Sequence, residues 1–372
     1  MLPDMRIVVA PDSFKGSLTA EEVATAVGRG IAEVLPHADV LLRPLADGGE
    51  GTVAAALRAG YRPERVRVAG PDGRPVTATI AVRDGEAVVE LATAAGLGLA
   101  PPAPMTATTR GVGELIAAAL DLGVRRIVLG IGGSATTDGG AGMLQALGVG
   151  LLDADGRDVS PGGGGLAAIA RAEVGGLDPR LSEVEFLVAS DVDNPLTGPS
   201  GAAAVFAPQK GATPEQVRAL DEALGRYAAV LARDLDADVA SVAGAGGAGG
   251  TAGGARAVGA RVVSGAGFVC DLVGLPEALT GAHLAITGEG SLDRQTLRGK
   301  APAEVARRAR TAGVPCLGVA GVVALTPAEL AAAGFVAAYA LTEVEPDVRR
   351  CLAEAGSLLA RLTARVVPDL LR

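Results

Sequence analysis

RIVVAPDSFKGSLTAEEVATAVGRGIAEVLPHADVLLRPLADGGEGT, residues 6–52, repeats one structural sentence twice. RIVVA (6–10) is a short unbroken apolar run, the mark of a strand buried on both faces. The polar loop PDSFKGSL follows. Thr19 and Glu22 then form a capping box for a helix whose Val23, Val27, Ile31, Val34 and Leu35 share one face. VLLRPL (40–45) is the second strand, ADGGEG its loop, and Thr52 opens an Ala-rich helix that ends at Gly60. Strand–helix–strand–helix order predicts the opening of a parallel, doubly wound sheet.

Downstream the grammar changes. RVRVAG, VTATIAV and AVVELA are short β-rich runs joined by Asp72-Gly73 and Asp84-Gly85, a strong hairpin signal. An antiparallel meander inside a parallel pattern predicts an inserted domain. The same region holds a helix near 109–121, the strand RIVLG, a second crossing at EVEFLVAS, and a long helix capped by Thr213, Pro214 and Gln216. Val217, Leu220, Leu224, Tyr227 and Leu231 line the inner face of that helix. After a Gly/Ala tract (243–259), α/β alternation returns through LAIT, KAPAEVARRARTAG, VPCLGVAG, FVAAYAL and a last helix to about Val367. The expected architecture is α/β. Residues 1–65 and 262–372 form a discontinuous flavodoxin-like parallel-sheet domain, and residues 66–261 form an inserted mixed α+β domain. Two linked domains imply a cleft suited to a small molecule.

Composition narrows the function. A formal charge of −9 and no basic tail exclude nucleic acid and anionic membranes as natural partners. No apolar run reaches the length of a membrane span. The start, MLPDMRIVVAPD, reads as the beginning of a fold and not as a signal peptide. Cys270, Cys316 and Cys351 are odd in number and widely spaced, which fits buried thiols in a reducing, cytoplasmic setting. The only histidines, His37 and His283, leave no HExxH or other His-rich metal site, so both are read as structural. Chemistry must rest on carboxylates, lysines, hydroxyls and backbone N–H groups.

In a parallel sheet, ligands bind beyond the carboxyl ends of the strands. Three loops start there: PDSFKGS (11–17), ADGGEG (46–51) and GEGSLDRQTLRGK (288–300). Lys15 and Lys300 can neutralise a carboxylate or phosphate. Asp12, Asp47, Glu50, Glu289 and Asp293 can hold Mg²⁺ or accept a hydroxyl proton. In the inserted region, GIGGSATTDGGAG (130–142) offers consecutive N–H donors with Ser134, Thr136 and Thr137, a pattern that can cradle phosphate. It also contains G-x-G-x-x-A (Gly130, Gly132, Ala135), and Asp153 and Asp155 lie near the spacing of a ribose-binding acid, although DADGR reads as a hairpin turn. Gly244, Gly246 and Gly249 give a second weak fingerprint in a tract that also reads as close-packed glycine. Asp191, Asp193 and Asn194 end another strand with oxygen ligands. Lys210, ahead of the long helix, either reaches the same cleft or is solvated. A Walker A sequence and the protein-kinase HRD and DFG elements are missing.

Taken together, VVAPDSFKGSLTA, PLADGGEGT, ELATAAGL, GIGGSATTDGGAGML, ASDVDNPLTGPSGAA, FAPQKGA, GAGGAGG and ITGEGSLDRQTLRGKAP resemble the two-domain bacterial glycerate kinase family, in order and over most of the chain. The resemblance implies ATP-dependent phosphorylation of D-glycerate, usually to 2-phosphoglycerate. It also implies a flavodoxin-like domain with an inserted one of restriction-enzyme-like fold. The segment 241–251 departs slightly from relatives, which touches only that turn.

Chemical reasoning then distributes the roles. Mg²⁺ goes to Asp191 and Glu289, with Asp193 and Asp293 in reserve. Lys15 and Lys300 take the glycerate carboxylate and the transferring phosphoryl group, and Asp47 orients the hydroxyl. Asp12, Ser13, Glu50 and Thr296 join Lys15 around the substrate. Gly132, Gly133, Ser134, Thr136, Thr137, Asp138 and Gly139 hold the nucleotide phosphates. The partners are then D-glycerate and ATP, and a homo-oligomer is compatible with the sequence. Two rival readings stand: an NAD-dependent dehydrogenase of a small hydroxy acid, and a non-enzymatic two-lobed ligand sensor.

Overall fold

Short Val/Ile/Leu/Ala strands with no polar face have to be covered on both sides, and the chain covers them with helices. In the computed structural model, which describes residues 5–370, Arg6–Val9, Asp39–Leu42, Leu284–Leu292, Cys316–Val323 and Ala337–Ala340 form one five-stranded sheet. Every pairing in it is parallel. Numbered by chain order within this sheet, the spatial order is 2-1-3-4-5, the flavodoxin-like order expected from sequence. The connection reverses direction between Arg6–Val9 and Leu284–Leu292, so the crevice beyond the carboxyl ends of those two strands is the ligand position the topology favours.

The first helix, Ala20–Val34, carries the capping box read from sequence and buries Val23, Val27 and Ile31. It packs on Ala355–Leu370 so closely that a Cβ at Gly30 would lie 2.3 Å from the Ala360 carbonyl oxygen. The expected final helix is in fact two, Val348–Ala353 and Ala355–Leu370. Asp347 starts the shorter one, its carboxylate accepting from the Arg349 N–H at 2.9 Å.

The second unit holds a six-stranded mixed sheet. Arg62–Ala69, Pro75–Arg83 and Glu86–Glu90 run antiparallel. The turns are those predicted: Gly73 and Gly85 both have φ +81°, where glycine is unstrained. Glu86–Glu90 then pairs in parallel with Arg126–Gly130, which pairs with Glu185–Ala189 and that with Arg261–Val263. Leu220, Leu224, Tyr227 and Leu231 of the helix Pro214–Leu235 are buried, as its periodicity requires.

The chain divides after Asp47 and after Gly265 into two compact units. The reason is local. The helix Thr52–Arg58 belongs to the second unit because its first turn is held by the buried Glu90 carboxylate, 3.0 Å from the Val53 N–H. No helix among the described residues is long and apolar enough to cross a membrane.

Candidate active site

In the first unit, main-chain pairing continues past the strand ends. Asp12 N–H donates to the Gly288 carbonyl at 2.8 Å, so Asp12 is carried alongside the strand that bears Glu289. Gly288 is required there: a Cβ would stand 1.8 Å from the Val319 carbonyl oxygen. Phe14 and Leu18 exchange both main-chain hydrogen bonds, at 2.9 and 3.0 Å, around Gly16 (φ +82°). This tight reversal leaves Lys15 exposed at its tip.

Asp12 is buried at the floor of this edge. Its pKa is pushed up to about 7, first by burial and then by the neighbouring Asp47 carboxylate; the Ser13 N–H, at 2.6 Å, pulls the other way. Glu289 also contributes to the rise and Lys15 opposes it. Glu289 is itself buried and raised by burial. It accepts from the Thr296 hydroxyl at 2.7 Å and lies 3.4 Å from the Lys300 ammonium.

Ser13, Lys15, Ser17, Glu289, Ser291 and Lys300 line the polar part of a cavity of about 350 Å³ here. Loops from opposite ends of the chain thus present two cations, several hydroxyls and the Glu289 carboxylate to the cavity, while Asp12, with its near-neutral pKa, is buried next to Ser13 of the lining. Such a set can bind a small anion and receive a proton at neutral pH.

Two of the expected site residues are tied into local hydrogen bonds. Thr296 is fully buried, donating to Glu289 and accepting from the Asp293 N–H at 3.1 Å, so it holds Glu289 in place. Asp293 lines the cavity and also caps its own turn, accepting from the Gln295 N–H at 2.7 Å and from the Ser291 hydroxyl at 3.2 Å.

In the second unit, the glycine loop after Arg126–Gly130 faces inward for most of its length. Gly132 and Gly133 reach the surface, whereas Thr136, Thr137, Asp138 and Gly139 are buried. Asp138 accepts from the Thr109 N–H and hydroxyl, both at 2.8 Å, and from the Gly140 N–H at 3.2 Å. A Cβ at Gly139 would lie 2.6 Å from the Tyr227 ring. Gly132 and Gly133 keep the exposure a phosphate contact needs, while Ser134 is buried against Lys210 and the rest of the loop is packed.

Lys210 is neither solvated nor in an open cleft. It is buried, its ammonium 2.8 Å from the Ser134 hydroxyl and also donating to the Thr136 carbonyl. Burial lowers its pKa to about 7, with nearby Asp138 opposing. The hydroxyls of Thr136, Thr137 and Tyr227 are buried with no hydrogen-bond partner among the described residues.

The second glycine fingerprint is a packing surface. A Cβ at Gly249 would meet the Thr136 carbonyl oxygen at 2.0 Å, and one at Gly246 the Pro195 carbonyl oxygen at 2.2 Å. Asp153 lies in a hairpin turn, accepting from the Asp155 and Arg157 N–H groups at 2.9 and 3.0 Å. Neither fingerprint therefore has the ribose-binding acid that an NAD site uses.

Asp191 accepts from the Ser264 hydroxyl at 2.8 Å and the Gly265 N–H at 3.0 Å, while Asp193 and Glu50 are exposed. Among the described residues no three His, Cys, Asp or Glu side chains meet as a metal cluster. Glu90 escaped the sequence reading, although it stands in the quoted ELATAAGL. Its signal was an acid ending a buried strand, and its carboxyl is raised mainly by burial.

A family model described as the glycerate kinase family matches residues 7–371. The chain is 47% identical to a glycerate kinase of Bacillus subtilis over 329 residues, covering 85% of each chain. It is 42% identical to one of Halalkalibacterium halodurans, covering 97% of each. Against a glycerate 2-kinase of Escherichia coli K12 the identity is 46%, covering 85% of each. The crystal structure of a protein from Salmonella typhimurium LT2, provisionally named glycerate kinase 2, superposes with a TM-score of 0.81 at 45% identity and covers 98% of both chains.

Proposed function

The chain belongs to the glycerate kinase family, and we propose that it transfers the terminal phosphoryl group of ATP to D-glycerate, giving 2-phosphoglycerate. The observation that carries this reading is the polar cavity of the first unit, where Lys15 and Lys300 stand over the switch point of a 2-1-3-4-5 sheet. Lys300 and Lys15 hold the glycerate carboxylate and the transferring phosphoryl group. These are charge-assisted contacts that gain strength as charge develops.

Asp12, not Asp47, receives the hydroxyl proton. Its pKa of about 7 keeps it largely unprotonated just above neutrality yet basic enough to accept. Asp47 acts on the reaction by keeping that value high. Thr296 positions Glu289, and Glu289 positions Lys300.

The donor set fits Mg²⁺, which is commonly bound through one or two carboxylates together with substrate phosphates. Glu289 in the first unit, or Asp191 in the second, would hold it, and it would neutralise phosphate charge. Gly132, Gly133 and Ser134 are kept as candidate phosphate contacts of the second unit. Three buried cysteines, none of them in a disulfide among the described residues, support a reducing, cytoplasmic setting.

The test is ADP release measured with D-glycerate, L-glycerate and other 2-hydroxy acids. Turnover with D-glycerate well above the rest is expected. ADP release that ignores the acid, or NAD(H) reduction or oxidation with it, would overturn the reading.

A further inference from the structure

Glycerate carries an oxygen on every carbon, so it has no apolar face to bury. The cavity of the first unit nevertheless has an apolar wall, built by Phe14, Val322, Leu341, Val348, Cys351 and Leu352. Three of these are unusually open for large aliphatic side chains: Val322 is 42% exposed, Val348 54% and Leu352 52%. Grouping such residues at one concave surface, next to Lys15 and Lys300, calls for a ligand that is apolar at one end and anionic at the other.

We infer that this wall takes the purine ring of the nucleotide, with its phosphates directed to the lysines. The inference rests on the kinase reading above and adds a place for the base. The break that separates Val348–Ala353 from Ala355–Leu370 has a use here, because it turns Val348, Cys351 and Leu352 toward the cavity. Thr342, also in the lining, offers a hydroxyl to the edge of the ring. Every base presents an apolar π-face that such a wall can cover, so the site selects a nucleoside over a bare polyphosphate.

The experiment uses the full chain, ADP and tripolyphosphate as probes, and the double variant Val348→Ser/Leu352→Ser. Calorimetric titration gives Kd for each probe, and thermal unfolding checks the fold. Both side chains are more than half exposed, so Tm should stay essentially unchanged. Loss of two aliphatic contacts should weaken ADP about tenfold and leave tripolyphosphate unaffected.

Unchanged ADP affinity in a folded variant overturns the purine site while leaving the kinase reading intact. Equal weakening of both probes also overturns it, since the wall would then act through the phosphates. A wild-type chain that neither binds ADP nor releases it from ATP with D-glycerate overturns both.

Discussion

Replacing Asp12 by Asn separates catalysis from stability, because the structure requires the two to move in opposite directions. Asp12 is buried, and its pKa rises from 3.8 to about 7 on folding. A shift of about three units at 1.36 kcal/mol each corresponds to roughly 4 kcal/mol by which folding disfavours the charged form. For an acid with a raised folded pKa, stability is fully present below about pH 4 and is lost as pH rises through about 7. Asp12→Asn keeps the shape and removes the charge, so at pH 8 it should be more stable than the parent, by an amount of up to that order. The same variant lacks the proton acceptor and should lose about 100- to 10,000-fold in kcat. In the parent, kcat/KM should fall on the acid side with an apparent pKa near 7. Asp47→Asn, by removing the neighbouring charge, should move that limb to lower pH. Stopped assays from pH 5 to 9 and urea unfolding at pH 5 and 8 supply the data. An Asp12→Asn variant with near-parent kcat, or one that is less stable at pH 8 than at pH 5 by the parent's margin, would refute the reasoning.

Other consequences are equally accessible. Lys15→Ala and Lys300→Ala should each lower kcat/KM roughly 10- to 100-fold with Tm little changed for Lys15, since a charge-assisted contact is worth about 1.5–3 kcal/mol; near-parent values for both would remove them from the mechanism. Excess EDTA should abolish turnover, and Mg²⁺ titrations of Glu289→Gln and Asp191→Asn should show a raised metal requirement in the one that holds the ion; no shift in either would exclude both. Lys210 is charged in the unfolded chain up to about pH 10 but is held near 7 when folded, so stability should climb between pH 7 and 10. Lys210→Met should flatten that rise in unfolding experiments, and a persistent slope would point to another group.

The sheet of the first unit was legible because short apolar runs alternate with amphipathic helices, the order a parallel α/β sheet produces. The hairpins of the second were legible from Asp72-Gly73 and Asp84-Gly85. The unit boundary was not, because helix Thr52–Arg58 reads as the natural sequel to VLLRPL. Its allegiance is decided by a hydrogen bond to Glu90, far along the chain. The candidate residues Lys15, Glu289 and Lys300 follow from loops at strand ends.

The burial of Asp12 does not follow, since it depends on pairing with Gly288, which lies beyond the whole inserted unit in sequence. The glycine loop reads two ways for a physical reason. Glycines that let a phosphate approach and glycines that let another backbone approach look identical in sequence, and here Gly139 and Gly249 serve the second purpose. Gly133 has φ +75°, so a bulky substitution there strains the backbone whatever it binds, and hydroxyl or wall variants are the cleaner probes. Lys210 likewise carries no local sign of burial; its partners, Ser134 and Thr136, come from the preceding crossover.

The most direct test of the account is a ³¹P NMR spectrum of the chain incubated with D-glycerate, Mg²⁺ and ATP. It should show the γ-phosphate signal of ATP replaced by a single new phosphomonoester that matches 2-phosphoglycerate and is absent without the acid. Release of inorganic phosphate alone, or no change in the ATP signals, would contradict it.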